Sequence, residues 1–415
     1  MNKRDFINHV KLWSHSSWTK GDLLDYWKKG GLEINSIFSN KGVLKNQSVP
    51  VAILGSVGKT TLSKLLVALF RSNGERCFEP KINDNWLPQL PFAVELARRS
   101  FEQYSVFECG IARKGDAFLM GQIVPSDLVI FTPFEKVHIN YLGGLEEIAR
   151  EKLSFIDSSN PKSILVHESN KVLTRELGGL EFYGGENSRY SGKVIHFSEF
   201  GMEIEIKGEI RKSFFIPDGG YHLIDALVGA LEVYSTLTSK RLDEISFDPM
   251  KYNSPAQRMQ RIQSGGNTYI LDTANANQSS ILNSLKSFSD LNSKKRKIVV
   301  LGEVYGMGDE MPIVMEEIIS RILSLQLNGL DEIHFIGDYY YLFRDKLKSL
   351  CPITSFNKTQ DEFEQYHNSN LYKNDLILLR GPSRMGRNLS SLIEGYDAKS
   401  DETCPDDLVS SGRNN

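Results

Sequence analysis

Cysteine is scarce: there are four in 415 residues (Cys77, Cys109, Cys351 and Cys404), all far apart. With no CxxC pair there is neither a zinc knuckle nor a redox motif, and a chain of this size needs no disulfide framework. A reducing, cytoplasmic setting is expected. An excess of one charge is missing too. Lys+Arg number 49 and Asp+Glu 52, for a net charge of −3, which excludes a broad basic surface for nucleic acid. No run approaches the roughly 18 apolar residues that read as a membrane span. The start, Met1-Asn2-Lys3-Arg4-Asp5, leads into a polar mixture, not the apolar core of a secretory leader. Internal repeats and low-complexity tracts are also lacking.

What remains is ordinary globular material, 40% hydrophobic and 24% charged. At about 150 residues per domain the length gives roughly 2.8 domains. Residues 1–47 form a short polar segment with scattered aromatics. The apolar run Val49–Leu54 then leads into Gly55-Ser56-Val57-Gly58-Lys59-Thr60-Thr61, and Leu62, Leu65, Leu66 and Leu69 follow at helical spacing. Further buried strands are expected at 104–108, 128–131 and 163–166, alternating with helical stretches such as 145–156. Alternating segments between 193 and 217 read as antiparallel strands, followed by a helix at about 222–236. A stretch at 250–262 reads as a linker. Beyond it the rhythm returns, with strands at 269–271, 298–301, 333–336 and 376–379 and helices at 279–289, 312–325 and 340–349. The fold class is α/β: a phosphate-loop domain with a mostly parallel sheet and a small antiparallel section over 48–250, then a Rossmann-like α/β domain over 251–397. Residues 398–415 read as a disordered tail.

The glycine loop carries the strongest chemical signal. Its backbone N–H groups can converge on phosphate oxygens, Lys59 supplies a point charge, and the Thr60 hydroxyl suits Mg²⁺. The match is to the short G-x-x-G-K-T-T form. The remaining chemistry-bearing segments follow in order: Phe107-Glu108-Cys109-Gly110; Val137-His138-Ile139-Asn140-Tyr141-Leu142-Gly143; Lys152, 14 residues after His138; Gln257-Arg258; Asp272-Thr273-Ala274-Asn275-Ala276-Asn277; Val300-Leu301-Gly302-Glu303; and Arg380-Gly381-Pro382-Ser383.

This ordered set resembles the Mur ligase family, most closely its MurF-like branch, over about residues 48–395. The resemblance implies an ATP-dependent amide ligase that activates a carboxylate as an acyl phosphate and couples it to an amino acid or short peptide, in cell-wall or specialised-metabolite synthesis. It implies ATP binding by Gly55, Ser56, Gly58, Lys59, Thr60, Thr61, Asp272, Asn275 and Asn277. Two Mg²⁺ ions would be held by Thr60, Glu108, His138 and a Lys152 carbamoylated by CO₂. Lys59, His138, Lys152 and Arg258 would serve catalysis, Arg258 reaching the γ-phosphate across a cleft. Asn83, Arg380 and Ser383 would face the substrates. Partners are then small molecules, and a monomer or weak dimer is expected.

Several positions depart from the family pattern. Gln257 stands for a glycine, Asp225 for an asparagine, Leu271 for an acid, Gln278 for a proline and Glu303 for an aspartate. The 47 residues before the loop strand are also short for the domain with which MurF-like enzymes grip UDP. These departures motivate an alternative of another class, a catalytically degenerate ATP-binding scaffold.

Overall fold

The computed structural model describes residues 20–30, 32, 48–80, 85–124, 126–136, 139–175, 177–185, 188–274, 277–304, 311–359, 362, 374–382 and 393. Two parallel-type sheets and one small antiparallel sheet make up its frame. The first sheet has the order β2 (Cys77–Phe78), β3 (Tyr104–Glu108), β1 (Val49–Leu54), β4 (Leu128–Phe131), β5 (Ser163–His167) and β6 (Glu181–Tyr183), all parallel. Parallel neighbours require crossovers, so helices cover both faces and the strands read as continuous apolar runs.

The period-two alternation sorts the side chains of this sheet. Val51, Ile53, Val106, Leu128, Ile130 and Leu165 fall in one core cluster, and Ala52, Leu54, Phe107, Val129, Phe131 and Val166 in the other. Helix α2 (Lys59–Ser72) lies in the first cluster through Leu62, Leu65, Leu66, Leu69 and Phe70. Each such buried side chain contributes about 2 kcal/mol relative to exposure. The Phe70 ring stacks on Tyr104 with centroids 4.0 Å apart. The opposite face holds α3 (Leu90–Ser100), α4 (Asp116–Ile123) and α5 (Leu145–Ser159). Gly121 allows α4 to cross α5 at close range: a Cβ there would lie 2.5 Å from the Phe155 carbonyl oxygen and 2.1 Å from Ser158 Oγ. An earlier helix, α1 (Lys20–Lys29), also docks here through Tyr26 and Trp27.

The antiparallel sheet is β7 (Ser191–Ser198), β8 (Gly201–Lys207) and β9 (Arg211–Ile216). Helix α6 (His222–Thr238) follows and packs into the α2 side of the core. The last sheet has the order β10 (Gln260–Ser264), β11 (Asn267–Asp272), β15 (Leu376–Arg380), β12 (Lys297–Gly302), β13 (Glu332–Ile336) and β14 (Ile353–Asn357). Only the β10–β11 pair is antiparallel. Helices α7 (Gln278–Asp290) and α8 (Met311–Ser324) share one face of it.

The α/β expectation holds, with two local corrections. The stretch read as a linker up to residue 262 is already strand from Gln260. The segment expected as one helix over 340–349 is two short ones, Asp338–Leu342 and Arg344–Leu347. Residues 398–415 lie outside the described residues. Among the described residues no helix is long and apolar enough to cross a membrane.

Candidate active site

The chain leaves β1 at Gly55 and enters α2 at Lys59, and two left-handed glycines make that turn: Gly55 at φ +133° and Gly58 at φ +80°. At Gly55 any side chain is excluded, because a Cβ would lie 1.9 Å from Thr132 Oγ1 and 2.8 Å from the Thr132 carbonyl oxygen. The segment after β4 runs along the loop. Ser56 N donates to the Pro133 carbonyl at 2.9 Å, and Ser56 Oγ donates to the Glu135 carbonyl at 3.0 Å. Lys59 curls back over the loop and donates to the Gly55 and Ser56 carbonyls at 3.1 and 3.2 Å. The result is a cradle of backbone groups at a helix N-terminus, with an ammonium beside it.

Beneath the loop, Thr60 Oγ1 donates to Glu108 Oε2 at 2.8 Å, so the hydroxyl and carboxylate expected to share Mg²⁺ do meet. The other oxygen of Glu108 is claimed by a residue the sequence did not single out: Asn85 Nδ2 donates to Glu108 Oε1 at 3.0 Å, and Gly110 N donates to the Asn85 carbonyl at 2.6 Å. The only sequence signal for it is the run Asn83-Asp84-Asn85, in which Asn83 is the expected substrate contact. Among the described residues no three His, Cys, Asp or Glu side chains gather as a metal site. One carboxylate and one hydroxyl nevertheless fit Mg²⁺, which takes few protein oxygens and fills its octahedron with phosphate and water.

Lys152 lies on α5, 1% exposed. Its Nζ makes no hydrogen bond or ion pair among the described residues. Burial first, and the Lys59 cation second, pull its pKa down from 10.5 to about 7, against weaker opposite pulls from Glu151 and Asp116. Those two acids serve the α4 N-terminus. Glu151 accepts from Gly115 N at 2.9 Å and Ala117 N at 3.0 Å, and Asp116 accepts from Arg113 N at 2.9 Å. Burial raises the Asp116 carboxyl to about 6.

Across from the loop, Asp272 ends β11 opposite Arg380 on β15. Arg380 is fully buried. Its guanidinium donates to the Asp272 carbonyl and the Ser280 hydroxyl, and its Nε lies 3.5 Å from Asp272 Oδ2. Ser284 Oγ also donates to Asp272 Oδ2. Asn277 caps α7, its side chain accepting from Ser280 N at 2.8 Å. Arg258 is half-buried. Burial pushes the His222 imidazole pKa down, Asp272 and Asp225 pull it up, and Arg258 and Arg380 push it down. These four charges therefore surround the start of α6. Gln257, where the family pattern has glycine, sits at φ +55°. Its carbonyl accepts from Thr273 N at 2.9 Å and Ala274 N at 3.0 Å, and its Oε1 accepts from Thr273 Oγ1 at 3.1 Å. The two halves meet over the loop, where the Glu135 side chain bonds Ser279. Asn83, His138, Asn275 and Ser383 lie outside the described residues.

Residues 53–234 match the Mur ligase middle domain. A curated relative from Borreliella burgdorferi, UDP-N-acetylmuramoyl-tripeptide–D-alanyl-D-alanine ligase, is 24% identical over 347 residues, covering 81% of this chain and 72% of its own length. The crystal structure of MurF from Acinetobacter baumannii has a TM-score of 0.70 at 18% identity, over 86% of this chain and 79% of that one. Mycobacterium tuberculosis folylpolyglutamate synthase complexed with ADP has a TM-score of 0.63 at 15% identity, over 95% of this chain and all of that one. Over residues 53–234 the chain is thus similar to the Mur ligase middle domain, and over most of its length it is MurF-like in sequence and in fold.

Proposed function

We propose that this protein is an ATP-dependent amide-bond ligase of cell-wall biosynthesis that joins an amino acid or short peptide to a carboxylate, working in the cytoplasm. By analogy with its relatives, a UDP-N-acetylmuramoyl peptide and D-alanyl-D-alanine are the first acid and amine to test. The observation that supports this reading is Lys152: buried on α5, with no hydrogen-bond or ion-pair partner among the described residues, its pKa drawn down to about 7 by burial and by the neighbouring Lys59 of the phosphate loop. An ordinary phosphate-loop kinase has no use for such a group. A neutral amine can add to CO₂, forming an N–C bond and releasing one proton to solvent, and the product is an anion where a cation stood.

In this reading an oxygen of the acceptor carboxylate attacks the γ-phosphorus and ADP leaves. The amine then attacks the acyl carbon and phosphate leaves. Residues 55–61 and Lys59 hold the phosphates in line, Arg258 adds positive charge as it develops, and Asp272 anchors the nucleoside. Thr60, Glu108, His138 and the Lys152 carbamate would hold Mg²⁺, which supplies charge neutralisation on the transferring group. Arg380 holds Asp272 in place, a role distinct from the substrate contact expected for it.

The test is release of ADP and phosphate with a panel of UDP-linked peptides and amines, with the amide product identified by mass spectrometry. Turnover that survives Lys59→Ala would sink the proposal. ATP binding without ADP formation across the panel would favour the scaffold reading.

A further inference from the structure

Helix α1 has no task in the reaction as described, yet its contacts are pointed. Trp27 is 1% exposed and Tyr26 4%. Trp27 Nε1 donates to the Pro88 carbonyl at 3.0 Å. The Tyr26 hydroxyl accepts from Gln89 Nε2 at 3.3 Å, and its ring meets Phe92 edge-on with centroids 6.4 Å apart. All three partners fall within five residues, and that stretch begins three residues after Asn85. The chain between is short and turned: Gln89 N and Leu90 N both donate to the Trp86 carbonyl, at 3.0 and 3.1 Å. Trp86 bridges Gly110 in the parallel sense, beside the 2.6 Å bond from Gly110 N to the Asn85 carbonyl. Asn85 in turn donates to Glu108. An unbroken set of contacts thus runs from the Trp27 indole to the Glu108 carboxylate.

We infer that Trp27 and Tyr26 are positioning residues for the metal-binding carboxylate: by clamping residues 88–92 they fix Asn85, whose amide sets the orientation of Glu108. The inference rests on the reading of Glu108 as a Mg²⁺ ligand. The chemistry favours a positioning role over mere cover. An apolar face can be covered by any hydrophobic helix, whereas here a donor on each side of the junction is matched to an acceptor. A carboxylate that accepts from both Thr60 and Asn85 is held with its free lone pairs in one direction. That pre-sets it for a cation with a strict octahedral demand.

The test reads metal binding directly. Free Mn²⁺ is measured by electron paramagnetic resonance while the full chain is titrated in the presence of ADP. Trp27→Phe keeps an aromatic ring but deletes the donor; it should weaken Mn²⁺ binding about threefold to tenfold, and leave ADP binding without metal unchanged. Asn85→Ala should weaken Mn²⁺ binding about tenfold, the scale for losing a group that orients a metal ligand. The double variant should be no worse than Asn85→Ala alone. Unchanged Mn²⁺ affinity in Trp27→Phe with a lowered melting temperature would overturn the inference, as would additive losses in the double variant. Tyr26→Phe, which removes only a hydroxyl, gives the same readout if Trp27→Phe does not fold, and an unchanged Mn²⁺ affinity there would equally overturn it. A wild-type chain that binds ADP but no Mn²⁺ would overturn the reading of Glu108 itself.

Discussion

Replacing Lys152 with methionine should make the protein more stable at neutral pH while destroying its activity. The side chains have similar length, so the apolar contacts of the stem are kept and only the ammonium is lost. In the unfolded chain the amine has its ordinary pKa of 10.5; in the folded chain burial and the Lys59 cation bring it to about 7. Between those values the unfolded chain binds the extra proton, so stability rises with pH across that window and is lowest at and below pH 7. At about 1.4 kcal/mol per decade the penalty at pH 7 is about 4–5 kcal/mol, shrinking to about 1 kcal/mol at pH 10. Urea denaturation of wild type and Lys152→Met in CO₂-free buffer at pH 7 and pH 10 measures this. The variant should be the more stable of the two at pH 7, and most of that advantage should vanish at pH 10. Bicarbonate at pH 8 should stabilise wild type and leave the variant unmoved, because only the amine can form the carbamate. A stability difference that does not change with pH would refute the argument.

Thr60→Val removes the hydroxyl that meets Glu108 while keeping the helix; ADP release should fall at least about 100-fold with the melting temperature within a few degrees of wild type. Gly55→Ala forces a Cβ into Thr132 at a φ that side chains avoid; urea denaturation should report a loss of about 3 kcal/mol, and ADP binding should be lost with it. Arg380→Met leaves the Asp272 carboxylate without its guanidinium and should cost about 3–5 kcal/mol by the same measurement. Arg380→Lys should restore little, since one ammonium cannot span Asp272 and the Ser280 hydroxyl together.

The strand, glycine loop and helix from Val49 to Ser72 were legible because an apolar run, two glycines and a 3.6-residue leucine stripe coincide there. The central strands β3, β4, β11, β12, β13 and β15 were legible for a related reason: strands buried on both faces are rich in apolar residues, and even β13, with Glu332 and His334 buried, keeps Ile333, Phe335 and Ile336. The edge strands were not. β10 reads Gln-Arg-Ile-Gln-Ser and pairs only with β11, so its polar residues mimic a linker. β2, with two residues, is too short to show a pattern. In the site, Glu108 and Thr60 were found through motif order, but Asn85 was missed because neighbouring Asn and Asp residues carry no periodicity to choose between them. Lys152 sits in a charged sequence that reads as surface. Yet Ile148, Lys152, Phe155 and Ser159 are buried at spacings of four, three and four, so it lies on the helix's inward stripe.

Gln257 has a consequence for the way the two halves work together. A glycine at that joint would swing through a wide range of backbone angles; a glutamine at φ +55°, tied to Thr273 and Ala274, is confined to one setting. The backbone bears about 1 kcal/mol of strain to hold it. In return, Arg258 is launched from a fixed heading. Little backbone disorder is then left at that position to be lost when a phosphate group meets the guanidinium.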